Sequence, residues 1–332
     1  MNTTVLLLTV LTAFVVTAAL GFPLIPFLRR LKFGQTILDI GPSWHKKKQG
    51  TPTMGGIMFV IGATIAIVAG FLGLSMGGAA GGGRGNLKLF SGIVMALAFG
   101  AVGFLDDYIK VVKKQNLGLT ARQKYLMQLI IAVFYLTMLW LAGDRSSIVI
   151  IPFIGQWNLG LLYYPFAVIV ITGFVNAVNL TDGIDGLASS VTFVYALCFV
   201  VIAGLLGAAQ AGVIAAALAG GVLGFLVWNF YPAKVFMGDT GSLFLGGLVV
   251  ALAFDVGIPL LLVLAGVIYW CEAFSVILQV ISFKTTGKRI FKMSPIHHHF
   301  ELSGWSEIKI VTVFSLVTLA GSLLAILAVF RI

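Results

Sequence analysis

Ten apolar runs, each about 20 residues long, constrain what this chain of 332 residues can fold into more than any other feature. Sixty per cent of the residues are hydrophobic and only 10% are charged. A soluble core could not absorb that much apolar surface, so the sequence predicts an all-α polytopic membrane protein with one transmembrane domain over residues 1–332. The predicted transmembrane helices lie near residues 4–28, 55–75, 88–105, 125–143, 162–180, 187–207, 211–231, 240–256, 258–282 and 309–331.

The positions of Lys and Arg predict the orientation of these helices, because cytoplasmic loops of membrane proteins carry an excess of both residues. Seventeen of the 21 fall in one set of alternating loops, which we therefore expect to be cytoplasmic, with both termini outside. This bias accounts for most of the net charge of +10 without nucleic-acid binding, and it can also attract anionic lipids or phosphates. The cytoplasmic set comprises residues 29–54, 106–124, 181–186, 232–239 and 283–309.

Five aspartates lie at the cytoplasmic ends of apolar runs, in a chain with only 11 acidic residues. A carboxylate near hydrocarbon costs about 2.5–3.5 kcal/mol even on lenient insertion scales, so such a cluster indicates a candidate active site. Helix capping and interfacial charge would explain one or two of these residues, but not five on one side. The five are Asp106, Asp107, Asp182, Asp185 and Asp239.

Asp106 and Asp107 directly follow the third apolar run and precede Lys110, Lys113 and Lys114. Neighbouring positions on a helix point about 100° apart, so one carboxylate can face a cleft while the other faces a helix or a cation. The two residues therefore need not have the same role. Acidic residues followed by lysines are also typical of an ordinary solvated helix end.

The segment from Asn176 to Gly186 follows the fifth run and contains the spacing Asp-Gly-x-Asp-Gly, with two asparagines upstream. Glycine permits a tight turn there, which can gather carboxylates, carboxamides and backbone N–H groups around one ligand. An Asx-turn with helix caps is the structural alternative, and it is compatible with a binding site at the same place.

Asp239 lies in the segment Phe236–Ser242, at the start of the eighth run. A helix N-cap is one reading of this position. A hard oxygen ligand beside other carboxylates is also what Mg²⁺ and phosphate chemistry needs, and Mg²⁺ takes only one or two protein carboxylates. Asp239 is therefore a candidate metal ligand.

Three consecutive histidines, His297 to His299, lie in the last cytoplasmic loop. Four basic residues precede them, namely Lys284, Lys288, Arg289 and Lys292, and this combination suits a polyphosphate ligand. A zinc site is the alternative, but neither a cysteine spacing nor an H-E-x-x-H spacing supports one.

Two further segments have local signals. Lys46–Gly56 combines three lysines with a Gly- and Pro-rich entry into the second run, which favours either a phosphate contact or simple positive-inside bias. Residues 147–158 contain β-branched runs around a proline and a glycine, which indicates a short hairpin on the outer face.

The whole chain resembles the phospho-N-acetylmuramoyl-pentapeptide transferase family, within the polyprenyl-phosphate N-acetylhexosamine-1-phosphate transferase superfamily. The aspartate motifs are shared across the superfamily, whereas the first and last segments are typical of the muramoyl-pentapeptide branch. The matching segments occur in the family's order and are Thr51–Gly56, Asp106–Asp107, Asn176–Gly186, Phe236–Ser242 and Pro295–Glu301.

The resemblance implies transfer of phospho-MurNAc-pentapeptide from UDP-MurNAc-pentapeptide to undecaprenyl phosphate. The products are lipid I, a peptidoglycan precursor, and UMP, and Mg²⁺ is required. It further implies a multi-pass protein of the bacterial inner membrane, in contact with membrane lipid, with its active site on the cytoplasmic face. A homodimer and either a one-step or a covalent mechanism remain open.

The resemblance also implies roles for individual residues. Asp239 is the expected metal ligand, Asp106 deprotonates or orients the lipid phosphate beside Asp107, and His298 takes part in catalysis. The expected donor-binding residues are Lys48, Thr53, Asn176, Asn179, Asp182, Gly183, Ile184, Asp185, Phe236, Gln279, His297 and His299.

Three other functions compete with this interpretation. A sister transferase that uses UDP-GlcNAc would share the aspartate motifs, and an intramembrane aspartyl protease would need its acids deeper in the bilayer. A secondary transporter would use an intramembrane acid such as Glu272 in the ninth run. We expect Glu272 instead to face the protein interior and to pair with a neighbouring helix in a structural role.

Overall fold

The computed structural model describes residues 2–31, 48, 50–78, 82–112 and 118–331. Four lysines singled out in the sequence, Lys46, Lys47, Lys113 and Lys114, lie outside these ranges.

Ten helices in the described residues are long and apolar enough to cross a membrane, which confirms the predicted fold class. Two shorter helices and one pair of strands join them. The long helices are α1 (Thr3–Arg30), α2 (Ile57–Met76), α3 (Gly83–Val112), α4 (Ala121–Leu141), α5 (Tyr163–Thr181), α6 (Leu187–Leu205), α7 (Ala209–Asn229), α8 (Gly238–Asp255), α10 (Val267–Thr286) and α12 (Glu307–Val329). The other elements are β1 (Ile148–Ile151), β2 (Gly155–Asn158), α9 (Leu261–Ala265) and α11 (Ile296–Glu301).

Two helix boundaries differ from the prediction. The third helix does not end at residue 105 but continues through both aspartates, and the ion pair between Asp106 and Lys110, 2.6 Å apart at i and i+4, stabilises the added turn. The ninth predicted span, 258–282, is divided at Gly266 into α9 and α10. Glycine has a low helix propensity, which apolar periodicity alone does not register.

The predicted hairpin is present. Strands β1 and β2 pair antiparallel, with Ile148 opposite Asn158 and Ile151 opposite Gly155. Phe153, between the strands, adopts a positive φ of 65°, as a tight reversal requires. The location of this hairpin on the outer face stays a prediction.

Helix α8 forms the centre of the molecule. Every residue from Thr240 to Phe254 is buried, and the helix packs mainly against α3 and α5. A helix that is apolar on all sides must be enclosed by other helices, and α7 behaves in the same way between α1 and α6. The N-terminus of α8 is therefore held firmly at one end of the helix bundle.

Gly103 allows α3 to approach the N-terminus of α8. A side-chain carbon at this position would collide with the carbonyl oxygen of Asp239. Small residues permit such close helix contacts in membrane proteins. The glycine thus sets the separation between Asp239 and the two aspartates that follow on α3.

We predict that Gly103→Ala lowers the apparent melting temperature in detergent and abolishes activity, because the methyl group must push α3 and α8 apart. Overpacking of this kind costs about 1–3 kcal/mol. Gly173→Ala on α5 is the matched control, since a side-chain carbon there meets no atom within 4 Å. Equal melting temperatures for the two variants would show that the contact at Gly103 is not tight.

Candidate active site

Asp107 joins α3 to the start of α8. Its Oδ1 accepts a hydrogen bond from the backbone N–H of Asp239 at 3.2 Å, and its Oδ2 accepts from the N–H of Thr240 at 2.9 Å. The Thr240 hydroxyl donates to the same Oδ2 at 2.7 Å. Asp107 therefore satisfies N–H groups that have no partner inside α8 and places a negative charge at the positive end of that helix.

Asp106 points away from this contact, as expected for a neighbouring position on a helix. Its Oδ1 accepts from the backbone N–H of Leu119 at 2.8 Å, and its Oδ2 lies 2.6 Å from the Nζ of Lys110. The expectation that the two adjacent aspartates have different surroundings is confirmed.

Asp239 forms ion pairs with two lysines. Its Oδ2 lies 3.0 Å from the Nζ of Lys110 and 2.9 Å from the Nζ of Lys124. Its Oδ1 accepts from the Nδ2 of Asn179 at 2.9 Å, and that amide also donates to the hydroxyl of Ser242 at 2.7 Å. Asp239 is thus oriented from both sides.

The carboxylates of Asp106, Asp107 and Asp239 form one acidic triad. One oxygen from each lies within 4.8 Å of the others, an arrangement that could hold a metal ion. Because Lys110 and Lys124 neutralise two of the three charges, the three carboxylates can lie close together before any cation or phosphate binds. Oxygen-only ligands of this kind fit a hard divalent cation.

The segment around Thr53 packs beside the triad. The N–H of Phe236 donates to the Pro52 carbonyl at 2.8 Å, and the N–H of Gly55 donates back to the Phe236 carbonyl at 2.8 Å. A side chain at Gly238 would contact both the Oγ1 of Thr53 and the Oδ2 of Asp107. The Thr51–Gly56 motif and the Asp239 motif therefore meet in space.

A second charged cluster contains Lys48, Asp185 and Glu307. The Nζ of Lys48 lies 2.7 Å from the Oδ1 of Asp185 and 2.7 Å from the Oε2 of Glu307. The same Glu307 oxygen accepts from the backbone N–H of Asp185 at 3.0 Å, and the Oδ2 of Asp185 accepts from the N–H of Ala233 at 2.9 Å. One cation thus links three distant parts of the chain.

Sequence reasoning missed Glu307 and Lys124. Glu307 follows the N-cap Ser306 of α12 and so resembles an ordinary residue of a first helical turn. In the sequence, Lys124 is one of many cations in the predicted cytoplasmic loops. Neither position has a local signal, because both acquire their partners through contacts more than 100 residues away along the chain.

Asp182 lies in the turn between these two clusters. Desolvation raises the pKa of its carboxyl group to about 8, with further contributions from the negative charges of Asp239, Asp107 and Asp185. In the same turn Gly183 is exposed and Ile184 is buried. When protonated, Asp182 can donate a hydrogen bond as well as accept one.

His297 and Glu272 form a buried pair beneath this turn. Neither side chain has any exposed surface, and the Nδ1 of His297 lies 3.1 Å from the Oε1 of Glu272. A side-chain carbon at Gly183 would collide with the Nε2 of His297. The expectation that Glu272 faces the interior and pairs there is confirmed. His297 packs directly against the turn at Gly183.

The other two histidines have different partners. The Nδ1 of His298 lies 2.6 Å from the Oε2 of Glu301, while the Nδ1 of His299 accepts from the Lys292 N–H at 3.1 Å.

The side chain of Gln279 binds the backbone of the loop before the histidines. Its Nε2 donates to the Phe291 carbonyl at 3.0 Å, and its Oε1 accepts from the Phe291 N–H at 3.0 Å.

Asn176 takes part in helix packing. Its Nδ2 donates to the Oε1 of Gln128 at 2.6 Å, and the Nε2 of Gln128 donates back at 3.2 Å. The amide therefore joins α5 to α4, one helical turn away from Asn179 and the triad.

Two protein-family models match the parts of the chain that form this site. The model described as glycosyl transferase family 4 matches residues 89–257, which include the acidic triad and the Asp182–Asp185 turn. The phospho-N-acetylmuramoyl-pentapeptide-transferase signature 1 matches residues 48–60, which include Lys48 and Thr53. The fold and the site therefore define a membrane-embedded transferase.

Similar curated proteins cover almost the entire chain. A phospho-N-acetylmuramoyl-pentapeptide-transferase from Heliobacterium modesticaldum is 48% identical over 322 residues, which span 95% of this chain and 96% of the relative. Proteins of the same name from Clostridium novyi and Bacillus pumilus are each 46% identical, over 97% and 98% of this chain and 96% and 97% of theirs. The chain belongs to the phospho-N-acetylmuramoyl-pentapeptide transferase family.

We predict that Glu307→Gln and Lys48→Met are strongly coupled in their effects on the apparent melting temperature. Lys48→Met leaves the carboxylates of Asp185 and Glu307 close together without their cation, so adding Glu307→Gln relieves the repulsion. The double variant should melt at or above the temperature of Lys48→Met alone. Additive losses in the double variant would contradict a cluster held together by Lys48.

Proposed function

We propose that this transferase moves phospho-MurNAc-pentapeptide from its UDP carrier to undecaprenyl phosphate, giving lipid I and UMP. The observation that carries the proposal is the acidic triad with two lysines at the N-terminus of α8, in a chain of this family. Attack of one phosphate on another requires several negative charges to be neutralised in one place, and this cluster supplies cations and metal-binding oxygens together.

Asp239 is the proposed ligand for Mg²⁺, with Asp106 beside it. Both oxygens of Asp107 already accept hydrogen bonds from the start of α8, so its free ligand capacity is smaller. A bound Mg²⁺ supplies charge neutralisation for the phosphate groups. Hard carboxylate oxygens, and the absence of sulfur or imidazole from the triad, support Mg²⁺ over Zn²⁺.

Asp106 is the proposed residue that deprotonates or orients the lipid phosphate. It lies on α3 at the membrane boundary, where the phosphate of a lipid reaches while its chain stays in hydrocarbon. Lys110 and Lys124 attract that phosphate and can exchange partners from Asp239 to the incoming oxygen atoms. Asp107 holds α8 in place beside these lysines. His298 is a further proposed catalytic residue.

The second cluster is the proposed binding site for the nucleotide and sugar. The turn Asp182–Asp185 and Phe236 would line a uridine pocket, in which a protonated Asp182 donates to a base carbonyl. Lys48, Thr53, Asn179 and His299 contact the phosphates and the sugar in this proposal. Asn176, Gln279 and His297 act instead through packing, in line with their contacts to Gln128, the Phe291 backbone and Glu272.

We place this site on the cytoplasmic face of a bacterial inner membrane. The donor is charged and water-soluble, so the site must open to the compartment that contains it, and the excess of Lys and Arg in the same loops agrees with that orientation. The sister reaction with UDP-GlcNAc is the closest alternative. Competition between the two UDP-sugars separates them, because only the correct donor should form labelled lipid.

We predict that Asp239→Asn lowers the incorporation of labelled UDP-MurNAc-pentapeptide into undecaprenyl phosphate by at least about 100-fold, since it removes a charge that acts at the reacting phosphates. The melting temperature should stay close to that of the parent protein, and extra Mg²⁺ should not restore turnover.

Asp144→Asn is the matched control, because Asp144 pairs with Lys88 near the start of α3, whereas Asp106 and Asp107 lie near its end. It should retain activity. Turnover of Asp239→Asn near the parental rate at ordinary Mg²⁺ concentration would remove Asp239 from the metal site.

A further inference from the structure

A cavity of about 410 Å³ lies between the end of α10 and the segment that leads into α11. Its volume falls within the range of about 300–1,000 Å³ typical of small-ligand pockets. Three of the lining residues are cations, and none is acidic. The lining includes Val280, Phe283, Lys284, Arg289, Lys292 and Leu302.

The positive charge of this cavity is largely uncompensated. Lys284 and Arg289 are exposed, and their side chains form no ion pair or hydrogen bond with any residue in the described ranges. Lys292 spans the cavity wall, where its Nζ donates to the carbonyl of Leu302 at 3.0 Å. Carbonyl contact leaves the charge intact, so the cavity attracts an anion.

The same loop forms the cavity wall and carries the triple histidine. The Lys292 N–H binds the Nδ1 of His299, and the Gln279 side chain fixes the backbone at Phe291. The cavity is therefore held in place relative to His298 and His299. A donor whose sugar lies at those histidines would extend its next chemical group toward the cavity.

A peptide end has the chemistry that this lining would recognise. The phosphates of the donor are already assigned to the acidic triad and Lys48, so they do not need these cations. A peptide that is joined to the muramoyl group through its amino end has a free carboxylate at its other end. The apolar walls formed by Val280, Phe283 and Leu302 suit small aliphatic side chains beside that carboxylate.

We propose that this cavity binds the carboxylate end of the donor's peptide and selects donors that carry a peptide. The proposal rests on the proposed function and extends it. Lys284 and Arg289 form the charge-assisted hydrogen bonds, and Lys292 holds the wall.

The test compares the double variant Lys284→Gln/Arg289→Gln with Arg122→Gln, a cation at the start of α4 outside the cavity. The KM and kcat for UDP-MurNAc-pentapeptide are measured, together with the inhibition constant of peptide-free UDP-MurNAc as a competitor. Loss of charge-assisted hydrogen bonds should raise the KM about tenfold or more. The kcat, the inhibition constant and the melting temperature should change by little, and Arg122→Gln should match the parent.

An unchanged KM in the folded double variant would overturn the proposal, and so would an equal weakening of UDP-MurNAc. A KM effect that appears in phosphatidylglycerol vesicles and disappears in phosphatidylcholine vesicles would also overturn it, since the cavity would then bind a lipid headgroup. If the parent protein itself fails to use UDP-MurNAc-pentapeptide, the proposed function fails, whatever the variants do.

Discussion

The contact between Asp107 and the first N–H groups of α8 is the interaction on which the rest of the site depends. It closes the helix end, fixes α3 against α8 and leaves Asp106 and Asp239 facing each other. Gly103 permits the close approach of α3 to α8, and the burial of α8 among other helices holds it in position. Asp107, a candidate catalytic residue from the sequence, is thus also the main structural support of the proposed catalytic residues Asp106 and Asp239.

Charge compensation explains how so many acids can gather beside hydrocarbon. Lys110 and Lys124 neutralise the triad, and Lys48 neutralises Asp185 and Glu307. Each lysine is a flexible cation that can exchange a carboxylate for a phosphate without leaving the site. The same residues that stabilise the folded protein are therefore available to bind an anionic substrate. In the proposed function, the acidic triad serves the reaction centre and the Lys48 cluster serves the nucleotide side.

The sequence was sufficient for the fold and for the three aspartates of the triad, but not for all of the residues that pair with them. Apolar length predicts ten helices, and the motifs at Asp106 and Asp239 predict an acidic site. Hydropathy could not predict the break at Gly266, because the flanking residues are apolar on both sides. Glu307, Lys124 and Gln128 have no local sequence signal, since each is defined by a contact with a distant part of the chain. The burial of His297 also depends on Glu272 from another helix.

Calorimetry with a uridine-based inhibitor tests most directly whether Asp106 acts on the lipid phosphate while Asp185 serves the nucleotide side. We expect Asp106→Asn to lose turnover but to bind the inhibitor within about threefold of the parent. We expect Asp185→Ala, in a protein that remains folded, to weaken inhibitor binding about tenfold or more. An equally severe loss of inhibitor affinity in Asp106→Asn, with both variants folded, would contradict the division of the site.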